Sequence, residues 1–436
     1  MFIQSIRASL APVAISLAVL LAGCSEEPPT ESRGRVLLIG IDGASPRIVD
    51  PLIAEGRLPN LAGIAREGVH GKLRSAEPIH SPRIWNTIVT GVVPEKHGIV
   101  TFSYGGRDGR QHLYTSRHRR ARALWTIASA AGLEVAVVNF WNTYPLEKVN
   151  GVMVSDHILA TQIDEREQLT GAAKARVGDV IYPPAWNGRL SGMIEARATP
   201  IPDFESPFVE SRTLPRWVLR DELQRRFEED GALAQMTLEI LREERPDVTL
   251  VLLPGIDRIS HYLWGVIEPP GTYSEGLEPT AEGRAGGKAA LYRYYEYVDA
   301  LVGHLAADFG PNDLVMVLSD HGFEAHEAMM RLTGNHHTEK AIDGIIYTRG
   351  AGLPSGEEVT GLGVNDIAPT LLRWMQLPVA RDMDGKAASF VADPGVAPVP
   401  SYNEIALEFV TPKDAESGAE EEVIERLKAL GYIESE

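Results

Sequence analysis

Residues 36–43 read VLLIGIDG: a short apolar run closed by an acid and a glycine. A run this continuous has no solvent-facing side, the pattern of a strand buried on both faces of a parallel sheet. Similar runs recur at Val135–Phe140, Val248–Leu253, Leu314–Leu318 and Ile345–Tyr347. Between them lie helical patterns at Leu124–Ala131, stopped by Gly132, and at Arg220–Arg242 and Ala289–Phe309. Strands alternating with helices predict an α/β fold, with a mainly parallel central sheet flanked by helices. In such sheets ligands gather beyond the carboxyl ends of the strands.

Outside these elements the composition sets limits. The chain has 436 residues and a formal charge of −18, with 44% hydrophobic and 23% charged residues. That balance supports a folded core and excludes wholesale disorder. So acidic a surface repels phosphate backbones, so no nucleic-acid duplex is expected as a partner. The single cysteine, Cys24, rules out an intramolecular disulfide and a cysteine-rich metal site.

Cys24 closes the leader MFIQSIRASLAPVAISLAVLLAGC, in which Arg7 precedes an uncharged stretch from Ala8 to Ala22. That stretch is shorter than the ~20 residues a membrane-spanning helix needs and suits the apolar part of a secretory signal. Leu21-Ala22-Gly23-Cys24 resembles the lipobox of bacterial lipoproteins, which implies cleavage before Cys24 and lipidation of its thiol. The expectation is an exported protein, lipid-anchored to the bacterial cell envelope on its periplasmic side, with Ser25 favouring the outer membrane. The expected organisation is a signal peptide at 1–23, a flexible tether at 24–34 and an α/β domain at 35–395. Pro-, Gly- and polar-rich insertions at about 155–218 and 265–287 are expected to cap the site. An acidic tail at 396–436 ends in a short helix whose Val423, Ile424, Leu427 and Leu430 share a face that docks onto the domain.

Acids and histidines fall where these strands end. Asp42 follows the first run, Asp257 and His261 follow Val248–Leu253, Asp320 and His321 follow Leu314–Leu318, and His336 lies in TGNHH before the next. Any one of them has an ordinary use, as a helix N-cap or a satisfied core histidine. Together, three carboxylates and three imidazoles on one sheet edge call for cations among them. Asp257 and His261 are four apart, on one helical face, and a cysteine-free Asp/His set suits Zn²⁺, with Mn²⁺ or another divalent ion as alternatives.

Six pieces of the chain together resemble the bacterial type I phosphodiesterase/nucleotide pyrophosphatase branch of the alkaline phosphatase superfamily. They are GIDG at 40–43, SPRIWNTIVTGVVPEKHGI at 81–99, IDRISH at 256–261, SDHGF at 319–323, GNH at 334–336 and VNDIAPTLL at 364–372. The resemblance implies an alkaline phosphatase-like fold and a nucleophile in the Ser or Thr before the proline, here Ser81. It implies one metal held by Asp42, Ser81, Asp320 and His321 and a second held by Asp257, His261 and His336. His337 is the fallback, because GNHH leaves the register open by one. The HG at 97–98 is a structural mark of the family, and His97 is not expected to be a ligand. The implied activity is hydrolysis of a small-molecule phosphate ester through a phosphoserine at a site with two divalent ions, Zn²⁺ expected.

The chain also departs from that pattern. Nucleotide pyrophosphatases of the family carry an Asn about 21 residues after the nucleophile, and Phe102 stands there. Thr101, Ser103, Asn86 and Arg83 are the nearby polar substitutes. Phosphomonoesterase, phosphonate hydrolase and phospho-group transferase activities fit the same residues. A sulfatase needs Cys or Ser two residues before the proline and four before the arginine. His80 and Ile79 hold those positions, so they speak against it. A non-catalytic, lipid-anchored binding protein would have lost a ligand type, and each type is present. His326-Glu327 starts an HExxH that fails at Met330, and no P-loop or GxSxG occurs.

Overall fold

The computed structural model describes residues 34–107, 109–161, 180–195, 204–208, 219–327, 332–410 and Ile424. The leader, Cys24 and most of the tether lie outside the described residues. The strands are β1 (Val36–Ile41), β2 (Val69–Arg74), β3 (Ser103–Gly105), β4 (Gln111–Leu113), β5 (Val135–Val138), β6 (Gly151–Val154), β7 (Ile181–Tyr182), β8 (Val248–Leu253), β9 (Leu314–Leu318), β10 (Glu324–Ala325), β11 (Gly334–Asn335), β12 (Asp343–Arg349) and β13 (Glu357–Gly363). The helices are α1 (Pro46–Ala54), α2 (Pro59–Glu67), α3 (Ser81–Thr90), α4 (Pro94–His97), α5 (Leu124–Ala130), α6 (Asn187–Glu195), α7 (Leu219–Glu244), α8 (Gly255–Leu263), α9 (Ala281–Ala306) and α10 (Ile367–Trp374).

Nine strands form one mainly parallel sheet in the order β13-β2-β12-β9-β1-β8-β5-β6-β7, with β12 and β7 antiparallel to their neighbours. The centre is β1, paired in parallel with β8 on one side and β9 on the other. Its alternation assigns the two layers. Leu37, Ile39 and Ile41 pack with α1, α2, α7, α8 and α9, while Val36 and Leu38 pack with α3, α5 and α10. Every residue of β1 is buried, as a two-sided sheet requires. Removing one such leucine from water contributes about 2 kcal/mol.

Three of the five expected strands keep their expected bounds: β1, β8 and β9. The run at 135–140 stops at Val138, because Asn139 turns into the left-handed region at φ 61°. Strands β2, β6, β7 and β13 were not anticipated. β13 lies on the sheet edge, is mostly exposed and carries glutamates and glycines, so it is recruited by backbone pairing instead of an apolar pattern. Helix α9 begins at Ala281, where the Thr280 hydroxyl accepts from Gly283 N at 3.0 Å, so the end of the 265–287 insertion is helical.

Part of the segment expected to cap the site is described. β7 adds to the sheet beside β6, and α6 packs on the long α7 with Trp186, Leu190 and Ile194 buried. Residues 162–179, 196–203 and 209–218 of that segment lie outside the described residues. The chain past 395 stays on the domain: Val399 bridges to Ala380, Phe409 bridges to Glu147, and the Arg122 guanidinium donates to Asn403 O and Ile405 O. Of the expected terminal helix only Ile424 is described, buried in a cluster with Phe102 and Leu113; Val423, Leu427 and Leu430 lie outside.

Candidate active site

Three neighbouring strands, β9, β1 and β8, run parallel and finish at one edge, and each delivers acid-bearing residues there. Asp42 follows β1, Asp320 and His321 follow β9, and Asp257 and His261 stand on α8 directly after β8. The β10–β11 hairpin supplies His336. Gly43 lets these elements meet. Its φ is +72°, and a Cβ there would come 2.9 Å from Asp257 Cα.

All six acids and imidazoles are buried, and their carboxylate oxygens and ring nitrogens converge. His321 Nε2 lies 3.4 Å from Asp42 Oδ1, 3.4 Å from Asp320 Oδ2 and 4.0 Å from Asp257 Oδ1. Asp257 Oδ1 is 3.5 Å from both His261 Nε2 and His336 Nε2. Among the described residues, two trios have ligand atoms within 4.8 Å of one another: Asp257, His261 and His336, and Asp42, Asp257 and His321. The first is the set expected from the sequence. The second differs, with Asp257 in the place given to Asp320, although Asp320 Oδ2 still faces His321.

Hydrogen bonds outside the cluster orient these groups. His261 Nδ1 lies 2.9 Å from Gly334 O and His321 Nδ1 lies 2.9 Å from Gly322 O. A carbonyl oxygen only accepts, so each Nδ1 carries the proton and each Nε2 turns to the cluster. Asp320 Oδ1 accepts from Gly43 N at 3.2 Å, leaving Oδ2 inward. Burial, then the Asp42 charge, push the Asp320 carboxyl well above the usual carboxylate range. Burial pulls the His321 imidazole down, but Asp320, Asp42 and Asp257 outweigh it and carry it up to about 10. Burial and the neighbouring imidazoles drive His336 well below its ordinary value. The cluster demands positive charge, and its buried imidazole and carboxylate groups could hold a metal ion.

Ser81 reaches this edge from another direction. It is the first residue of α3, after the extended His80, and its Oγ donates to Asp42 Oδ1 at 3.3 Å. His336 Nε2 faces Asp257 Oδ1 at 3.5 Å while His337 is exposed. His97 uses both ring nitrogens within the fold, with Ile99 N donating to Nδ1 at 3.2 Å and Thr87 Oγ1 at 3.0 Å from Nε2. Phe102 is buried against His80 and Trp141, with ring centroids 5.8 and 5.6 Å away. Of its polar neighbours, Asn86 is bonded to Pro82 O and Asn142, and Ser103 to Gln111, while Arg83 donates to Glu77 O. Sequence reasoning missed Trp85 and Trp141, whose indole nitrogens reach Asp42. The Trp in SPRIWN and the Asn-flanked Trp in NFWN were the available signals.

The model of the family described as type I phosphodiesterase/nucleotide pyrophosphatase matches residues 36–365. No curated protein matches the chain. Among solved structures, a phosphonoacetate hydrolase from Sinorhizobium meliloti 1021 is 18% identical, with a TM-score of 0.40. The match covers 68% of this chain and 58% of that one, so this chain spans less than two thirds of that relative. A phosphonate monoester hydrolase from Silicibacter pomeroyi is 15% identical over 88% of this chain and 78% of its own, with a TM-score of 0.48. A 2-O GAG sulfatase is 13% identical over 81% and 73%, with a TM-score of 0.49.

Proposed function

The chain belongs to the type I phosphodiesterase/nucleotide pyrophosphatase family, and on that premise we propose that it is a metal-dependent hydrolase of phosphate esters with Ser81 as nucleophile. The observation that carries this reading is the convergence of the Ser81 hydroxyl, 3.3 Å from Asp42 Oδ1, with six buried Asp and His side chains on one sheet edge. The proposed ligands are Asp42, Ser81, Asp320 and His321 for one ion and Asp257, His261 and His336 for the other. Bound there, two divalent ions, Zn²⁺ by the donor set, would lower the pKa of the serine hydroxyl and screen the phosphoryl charge.

Ser81 Oγ forms a bond to phosphorus as the bond to the ester oxygen breaks, and the departing alcohol takes up a proton. Water then cleaves the phosphoserine, restoring the hydroxyl and releasing the phosphoryl group. The position of Ser81 at the start of α3 places the positive end of the helix dipole beside that phosphoryl group. Phe102, packed where nucleotide-acting relatives carry a donor, supports an ester other than a nucleotide. A monoester, a phosphonate or transfer to an acceptor is the second reading on the same residues.

Metal analysis of the purified protein, joined to a panel of mono- and diesters, nucleotides, phosphonates and sulfate esters, tests this. Divalent metal with phosphate-ester turnover is expected, and sulfate-ester turnover without it would overturn the reading. The leader and Cys24 support export and lipid anchoring of the activity. Metabolic labelling with a radioactive fatty acid should then mark the wild-type chain and not Cys24→Ala, and an unlabelled wild type sinks that proposal.

A further inference from the structure

The oxygens of Asp42 have separate duties. Oδ1 faces Ser81 and His321, while Oδ2 accepts from two indoles, Trp85 Nε1 at 3.2 Å and Trp141 Nε1 at 3.3 Å. A carboxylate oxygen with both lone pairs engaged by N–H donors has none left for a cation. We propose that Trp85 and Trp141 are positioning residues that confine Asp42 to metal ligation through Oδ1 and so hold that oxygen against the Ser81 hydroxyl. The proposal rests on the metal-dependent reading above and extends it to two residues outside the ligand set.

The fold builds this pair deliberately. Trp85 lies four residues after Ser81 on α3, so the indole and the hydroxyl share a helical face. Its ring rests on β1 because residue 40 is glycine; a Cβ there would come 2.5 Å from Trp85 Cη2. Trp141 arrives from a turn bounded by Asn139 and Asn142, both left-handed at φ 61° and 58°. Such backbone persists only where the surroundings over-determine it.

Here they do. Asn139 Nδ2 donates to Leu252 O at 3.0 Å, Asn142 N donates to Asp156 Oδ2 at 2.8 Å, and Asn142 Nδ2 donates to Tyr114 O at 2.6 Å. The turn is also fastened to the nucleophile helix. Asn86, next to Trp85, donates to Asn142 Oδ1 at 2.7 Å, and Arg119 Nη1 donates to both Asn86 Oδ1 and Asn142 O. Two indoles from separate elements are thereby locked onto one oxygen. Groups that orient a metal ligand in this way typically govern affinity by about 10–100-fold.

The test is calorimetric titration of the chelator-stripped full-length protein with Zn²⁺, for wild type, Trp141→Phe, Trp85→Phe and the double variant. Each single variant is expected to weaken one binding step about tenfold and spare the other, with a larger loss in the double variant. Circular dichroism checks the fold, and if Trp85→Phe does not fold, Trp141→Phe, whose ring is partly exposed, decides. In ¹⁵N-indole spectra of wild type, two of the seven tryptophan signals should move as Zn²⁺ is added, and the two variants identify them. Unchanged constants in folded Trp141→Phe, or two stationary signals while the wild type binds Zn²⁺, overturn this proposal and leave the metal reading standing. A wild-type protein that takes up no divalent ion overturns both.

Discussion

Ser81 and Asp42, 39 residues apart, meet through a 3.3 Å hydrogen bond that joins the start of a helix to the end of the central strand. Removing the hydroxyl should abolish turnover and leave the fold alone, because Ser81 makes no other side-chain hydrogen bond that the structure records. Ser81→Ala is expected to lower kcat by at least about 10³ on a nitrophenyl phosphodiester, with an unchanged melting curve. Wild-type turnover in the variant would remove Ser81 from the mechanism.

His336 and His337 are neighbours in sequence with opposite environments, one buried 3.5 Å from Asp257 and the other exposed. His336→Ala should therefore lower divalent-metal content after dialysis by about tenfold or more, while His337→Ala retains it. Elemental analysis of the two variants side by side reads the difference, and equal losses would contradict the assignment.

Burial, with Arg119 and Arg83 nearby, holds the His97 imidazole down to about 3 from its ordinary 6.5. The unfolded chain takes up a proton on this group as pH falls through 6.5, and the folded chain does not until about pH 3. The stability this residue supports above pH 6.5 is therefore lost on acidification, at up to roughly 1.4 kcal/mol per pH unit. Urea midpoints from pH 7 down to 4 should fall less steeply in His97→Gln than in wild type. Parallel slopes would show that the group is not held neutral.

Glu147 sits almost fully buried, paired with Arg119 and accepting from Trp125 Nε1 at 3.2 Å and Thr126 Oγ1 at 2.8 Å. Glu147→Ala leaves the Arg119 guanidinium without its counter-charge, at a cost of about 3–5 kcal/mol. Because Arg119 also holds Asn86 and Asn142, turnover should drop along with stability. A urea midpoint within error of wild type would mean the pair is replaced by solvent.

Local pattern reached furthest where burial is two-sided. The strands β1, β8 and β9 were legible because a run with no polar face has few alternatives, and the site acids sit at their ends. Edge strands such as β13 were not legible, since half-exposed residues carry no such pattern. The Pro- and Gly-rich composition of 155–218 does not announce a strand, and β7 within it joins the sheet through backbone hydrogen bonds that any residue type supplies.

The sequence by itself determined the fold class, the central strands and the identity of the acids, imidazoles and serine brought to one edge, because hydrophobic period and residue chemistry are local properties. Only the tertiary structure decided which atoms of those residues face each other. That Asp257 stands between two histidines, that His336 and not His337 turns inward, and that two tryptophans 56 positions apart share one oxygen of Asp42 depend on strand order and on contacts between distant segments. Such contacts are fixed by packing in three dimensions, and no spacing along the chain encodes them.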